Sequence, residues 1–190
     1  MKKINVKDIL VPAIALLLFC LVATALLAGT NMITRDKIAA NAVQTEIASR
    51  EKVLPAGKSY GEVITADNGV SYCVGYDADG KEIGYVFTSG AKGYGGTVSV
   101  MVGIDAEGTI TGIEILSHSE TPGLGANATK DDFKGRFVGK SGILSVNKNS
   151  NEGQDVQAIT AATITSNAVV NAVNLATETY NQIAGGENNG

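Results

Sequence analysis

Tryptophan is absent from this 190-residue chain, and four Phe with six Tyr bring the aromatics to only 5%. A large helical core built on rings is thereby disfavoured, while 23 glycines favour tight turns and strands. One histidine and two cysteines, with no Cys-x-x-Cys pair, exclude a zinc or iron–sulfur site made by this chain alone. Cys20 lies in an apolar run and Cys73 in a predicted strand, which rules out an intramolecular disulfide. The net charge is −4, with no basic run and no aromatic platform, so nucleic acid is not a partner.

Charge is also missing from residues 9–28, where Leu, Ala, Val, Ile and Phe dominate. At about 1.5 Å per residue such a helix spans roughly 30 Å, the thickness of a bilayer core. Lys2, Lys3 and Lys7 precede it and place the N-terminus in the cytoplasm, which sends the rest of the chain to the outer side. A cleaved signal peptide is the rival. The run exceeds the usual h-region of about 7–15 residues and no Ala-x-Ala site follows it cleanly. Leu17-Leu18-Phe19 ahead of Cys20 is also a poor lipoprotein box. An uncleaved anchor in the cell membrane is therefore preferred. The expected organisation is a cytoplasmic tail (1–8), a transmembrane helix (9–29), a helical stalk (30–55), an extracytoplasmic domain (56–184) and a flexible tail (185–190). Ile33, Ile38, Val43 and Ile47 stripe the stalk, and Pro55-Ala56-Gly57 ends it.

The domain opens with strands and turns. Tyr72-Cys73-Val74-Gly75-Tyr76 and Ile83-Gly84-Tyr85-Val86-Phe87 flank the turn signal Asp77-Ala78-Asp79-Gly80. Val98-Ser99-Val100-Met101-Val102-Gly103-Ile104 and Ile110-Thr111-Gly112-Ile113-Glu114-Ile115 flank Asp105-Ala106-Glu107-Gly108. The two units align without a gap, which predicts two similar hairpins in one antiparallel sheet; two copies are too few for a solenoid. Between them, Ser89-Gly90-Ala91-Lys92-Gly93-Tyr94-Gly95-Gly96 lacks both the Walker ending and a following helix. It is a flexible connection and not a P-loop. Asp131-Asp132 marks a short solvated helix start, from which Phe133 and Phe137 pack inward. His118, alone near a strand end, is a structural residue and not a proton carrier.

Two stretches carry chemistry. In Glu120-Thr121-Pro122-Gly123-Leu124-Gly125, proline fixes φ and glycine is free to take φ above zero, giving a rigid turn that can aim its neighbours at a ligand. In Ile159-Thr160-Ala161-Ala162-Thr163-Ile164-Thr165-Ser166, small and hydroxyl residues precede a helix striped by Val169, Val173, Ala176 and Tyr180. Thr165 or Ser166 is the expected N-cap. A helix start presents unpaired N–H groups and a partial positive charge. The stretch is either an ordinary capped helix start or an anion site, where a threonine could hold a phosphate or carry one covalently.

Residues 160–166 resemble the Ser/Thr-Gly-Ala-Thr-x-Thr-Ser motif of the flavin-binding domain in the G subunit of Rnf-type electron-transfer complexes. The C subunit of sodium-pumping quinone reductases shares that motif. Glu-Thr-Pro-Gly-Leu-Gly, the other hallmark of the domain, is matched at every position from Glu120 to Gly125. A Gly-Tyr-Gly-Gly segment before the second hairpin is similar too. The chain departs from the pattern at Ala161, where glycine is usual, and at Gln157, where aspartate is frequent; Asp155 stands two residues earlier. The G subunit fits better than the C subunit, which generally carries longer insertions.

The resemblance implies an α+β protein: one N-terminal transmembrane helix, then an FMN-binding domain with antiparallel hairpins and flanking helices. It implies FMN joined as a phosphoester to Thr163, with Thr160, Ala162 and Thr165 around the phosphate. Glu120, Thr121, Gly123 and Leu124 would face the isoalloxazine or ribityl part. No residue acts as an acid–base catalyst and no metal is bound. The chain would be a redox subunit, incomplete alone, in a complex coupling ferredoxin/NAD electron transfer to sodium or proton translocation. Its partners would be other membrane subunits, among them a second flavin carrier and an iron–sulfur pair, and a flavin transferase for maturation. A stand-alone membrane-anchored flavin domain, or a flavin-less structural module, are the alternatives.

Overall fold

The computed structural model describes the backbone of residues 6–187 and, outside 6–8, 36, 38–43 and 185–187, their side chains. Residues 1–5 of the expected cytoplasmic tail and 188–190 of the expected C-terminal tail lie outside the described residues. The chain divides into two compact units, Met1–Gln44 and Thr45–Gly190.

The described residues of the first unit belong to α1 (Val6–Val53). Its segment Ile9–Arg35 has a mean hydropathy of 2.8 over its most apolar window, none of it buried. By length and composition it can cross a membrane. Thr24, Thr30 and Thr34 donate their hydroxyls to the carbonyls of Cys20, Leu26 and Thr30, so none of these three polar groups is left unsatisfied.

The second unit begins with the last turns of α1. The helix stops at Val53 because Leu54 precedes Pro55, and a residue before proline is driven out of the α region. Six strands follow: β1 (Ser59–Tyr60), β2 (Ile64–Thr65), β3 (Ser71–Tyr76), β4 (Glu82–Lys92), β5 (Thr97–Asp105) and β6 (Ile110–Ser117). They form one antiparallel sheet in the order β1-β3-β4-β5-β6, with β2 also on β3. The two expected hairpins are β3–β4 and β5–β6, and their turns use the same device. Asp77 Oδ1 accepts from the N–H groups of Asp79 and Lys81, both at 2.9 Å, while Asp105 Oδ1 accepts from Glu107 at 3.1 Å and Thr109 at 2.8 Å. Gly80 and Gly108 close the turns with φ of +78° and +82°.

Helix α3 (Thr163–Glu187) covers one face of the sheet. Val98, Val100, Val102 and Ile104 alternate along β5 toward it, and Val169, Val173, Ala176 and Tyr180 answer from the helix as its periodicity predicts. Each such valine or isoleucine stabilises the fold by roughly 1.5–3 kcal/mol through burial. Tyr180 packs edge-on against Tyr85 and Phe87, and its hydroxyl donates to the Ala106 carbonyl at 2.8 Å. The opposite face holds a smaller core of Val53, Leu54, Cys73, Val86 and Met101. There the end of α1 lies on two cross-strand partners, Gly103 and Gly112. A Cβ on Gly103 would strike the Val53 carbonyl, to which the Thr111 hydroxyl also donates.

The rest of the unit wraps the sheet. A 3-10 turn (Gly125–Thr129) leads into α2 (Asp131–Lys134), a single turn. Phe133 and, just beyond it, Phe137 are buried with ring centroids 5.4 Å apart. Two short strands, β7 (Ser145–Asn147) and β8 (Asp155–Gln157), pair in parallel before α3. The α+β architecture, with antiparallel hairpins, flanking helices and one N-terminal apolar helix, is the one expected.

Candidate cofactor site

Three segments far apart in sequence meet at one place: the glycine-rich connection between β4 and β5, the turn after β6, and the start of α3. Gly93 donates its N–H to the Gly96 carbonyl at 2.7 Å, which closes the first segment. Gly95 presses so closely on the Ser119 carbonyl that a Cβ there could not be accommodated. In the second segment Gly123 takes φ of +79°, the tight turn that Pro122-Gly123 predicts. The N–H groups of Leu124 and Ala126 then fold back on the Thr121 carbonyl.

Glu120 ties the three together. Its side chain is buried, with 6% of the residue exposed. Oε1 accepts from the Gly95 N–H at 2.9 Å and Oε2 from the Thr165 hydroxyl at 2.5 Å, and the Tyr94 N–H also reaches the carboxylate. Burial works against the charge. The Thr165 hydroxyl, the Gly95 and Tyr94 N–H groups and the nearby His118 outweigh it and hold the carboxyl below its ordinary value. Gly93 and Gly125 make room for it, since a Cβ on either would lie 2.5 Å from a carboxylate oxygen. His118 is structural here, its Nδ1 accepting the Glu120 N–H at 3.2 Å.

The third segment corrects one expectation. Helix α3 starts at Thr163, so Thr165 and Ser166 lie inside its first turn and are not N-caps. Their hydroxyls serve tertiary bonds instead. Thr165 donates to Glu120, while Ser166 accepts from the Ile159 N–H at 2.9 Å and donates to the Ala162 carbonyl at 3.0 Å. Thr160 and Thr163 differ: neither hydroxyl has a hydrogen-bond partner among the described residues. Ala161 has φ of +60°, alone among described non-glycine residues in the left-handed region. The conformation explains why a glycine is usual at this place in the motif.

A cleft of about 590 Å³ opens between the segments and is lined by Glu120, Thr121, Leu124, Ala162, Thr163 and Thr165. Gly123 and Thr160 instead line an adjoining cleft of about 520 Å³, which shares Leu124 and Ala161 with the first. Tyr94 and Ile164 also line the first cleft, 74% and 56% exposed. Sequence reasoning named neither as a site residue, although the Gly-Tyr-Gly-Gly resemblance pointed to the segment that carries Tyr94 and Ile164 lies within the stretch 159–166. Asp155 does not take the place of Gln157. Its carboxylate accepts from Ser145 Oγ and Asn147 Nδ2, both at 2.7 Å, whereas Gln157 lines the adjoining cleft and gives its carbonyl to Arg136 Nη1.

The residues present fit FMN. The volume falls in the range of small-ligand clefts. Exposed apolar groups of Tyr94, Leu124 and Ile164 suit a flat ring. The first-turn N–H groups of any helix lack intrahelical partners and attract a phosphate.

Residues 93–178 match the FMN-binding domain family, and residues 1–53 match the RnfG N-terminal region. The G subunit of the proton-translocating ferredoxin:NAD(+) oxidoreductase complex of Clostridium ljungdahlii is 34% identical, over 88% of this chain and 89% of its own. This chain belongs to the RnfG family. A second RnfG relative, the G subunit of the Na(+)-translocating ferredoxin:NAD(+) oxidoreductase complex of Acetobacterium woodii, is also 34% identical, over 96% of this chain and 98% of its own. Among solved structures, NqrC of Shewanella oneidensis shares the fold with a TM-score of 0.50 at 21% identity, covering 64% of this chain and 65% of that one. The FMN-binding domain of this RnfG family member contains all three segments of the site, from Gly93 to the first turns of α3.

Proposed function

We propose that this protein is an electron-relay subunit carrying FMN as a phosphoester on Thr163. It works in a membrane complex that couples electron transfer between ferredoxin and NAD to sodium or proton translocation. The observation that carries the proposal is the Thr163 hydroxyl. It is half-buried, without a partner among the described residues, at the start of α3 and in the same cleft as Glu120 and Leu124. The neighbouring hydroxyls of Thr165 and Ser166 are already committed.

The roles of the residues follow from their places. The α3 start receives the phosphate through its N–H groups and dipole. Ala162 and Thr165 border it in the same cleft, and Thr160 stands beside it in the adjoining one. Tyr94, Leu124 and Ile164 shelter the ring from water, and Thr121 with Gly123 shapes the turn beneath. FMN supplies the electron transfer, which no side chain of this chain can perform. The apolar part of α1 anchors the domain on the extracytoplasmic side. Other membrane subunits complete the complex, and a flavin transferase forms the ester.

The test is the intact mass of the protein purified from its native membrane, beside Thr163→Ala. Added mass equal to FMN less water, absent from the variant, is the expected result. A native protein without that mass would sink the ester.

A further inference from the structure

We infer that Glu120 sets the reduction potential of the flavin: a buried negative charge fixed in the cleft wall disfavours the negative charge that reduction adds. The inference rests on the FMN site proposed above. Glu120 is here a positioning and tuning residue, not a catalytic one.

A buried carboxylate is costly unless it is paired or hydrogen-bonded. Among the described residues Glu120 forms no ion pair; its partners are one hydroxyl and two backbone N–H groups. The charge is therefore hydrogen-bonded but not neutralised. The structural task, holding the Tyr94 loop against α3, needs one polar atom toward the loop and one toward Thr165. A glutamine amide could meet it: its oxygen accepts from Gly95 and Tyr94, and its NH₂ donates to Thr165 Oγ1, which can accept. The charge strengthens those bonds, but the pattern of the clamp does not require it.

What the charge does change is the field in the cleft. Glu120 lines the same cleft as Thr163, and Thr165, which grips it, is two residues from Thr163. The Gly95 N–H on one oxygen and the Thr165 hydroxyl on the other hold the carboxylate in place. Each electron from a low-potential donor leaves one more negative charge in the cleft unless a proton follows it. Like charges repel, and the carboxylate is itself buried, so the fixed charge lowers the potential. The Thr165 hydroxyl dipole offsets part of this effect.

The test is a dithionite titration, with mediator dyes, of the flavin absorbance in full-length protein purified with its FMN attached. Glu120→Gln and Thr165→Val are compared with wild type, and intact mass is measured on each. The expected results have opposite signs. Glu120→Gln keeps the FMN mass and shifts the midpoint potential upward, because the charge is gone. Thr165→Val shifts it downward, because the charge remains while a dipole that offsets it is lost. General loosening of the site would move both variants the same way. Either variant failing to move in its stated direction overturns the inference, as does a Glu120→Gln protein that folds but carries no FMN. Should Glu120→Gln not fold, Thr165→Val alone decides. Absence of FMN mass from the wild type would instead refute the Thr163 ester.

Discussion

Replacing Ala161 by glycine should stabilise this protein, against the general tendency of glycine to loosen a chain. Ala161 sits at φ +60° and its side chain is exposed. A left-handed conformation costs an L-residue about 1–2 kcal/mol, which glycine does not incur. Glycine loses more backbone entropy on folding, roughly 0.5–1 kcal/mol. The exposed methyl contributes almost no burial, so the balance favours glycine by about 0.5–1 kcal/mol. For a chain of this length about 1 kcal/mol moves Tm by roughly 2–4 °C, so a rise of about 1–4 °C is expected. The assay is thermal unfolding of the full-length protein in detergent, with Thr163→Ala as the common background. That background removes any ester and with it the stabilisation a bound ligand would add. An unchanged or lower Tm for Ala161→Gly would show that the left-handed conformation carries no strain, and the reasoning fails.

Gly125→Ala should act in the opposite sense. Its Cβ would lie 2.5 Å from both Glu120 Oε2 and Thr165 Oγ1, so the clamp must open at a cost of about 1–3 kcal/mol, read as a lower Tm; an unaltered Tm would mean that the clamp has slack. Acid stability supplies another check. Because the folded protein holds the Glu120 carboxyl below its ordinary value, its contribution is complete above the unfolded pKa, about 4.3, and is lost as pH falls through the folded one. Denaturation curves taken from about pH 6 down to about pH 3 should therefore fall less steeply for Glu120→Gln than for wild type. Equal slopes would contradict the depressed value.

Much of this was legible in the sequence because the signals were local. Asp77 with Gly80, and Asp105 with Gly108, hold their turns within five residues, so the hairpins follow from short strings. The α3 stripe repeats at helical spacing, and Pro122-Gly123 dictates its own turn. What escaped was decided at long range. Nothing near Thr165 says that its hydroxyl will bond a carboxylate 45 residues earlier, and that bond is one reason it does not cap the helix. Tyr94 joins the cleft because Glu120, which accepts from Gly95 25 residues before it, holds its loop. The β7–β8 strands, Ser145-Val146-Asn147 and Asp155-Val156-Gln157, are three residues each, too short for their alternation to stand out.

The seat that Gly103 and Gly112 provide for Val53 bears on how the domain can be cut free for study. A fragment opening at residue 56 would discard Val53 and Leu54, each almost wholly enclosed in the intact protein. Val86 and Met101 would then face water on a sheet left bare, and such apolar patches favour association between copies. A fragment opening at Thr45 retains the last helical turns as a lid. The segment that looks like a spacer is thus the cork of the domain, and the two fragments should differ sharply in solubility.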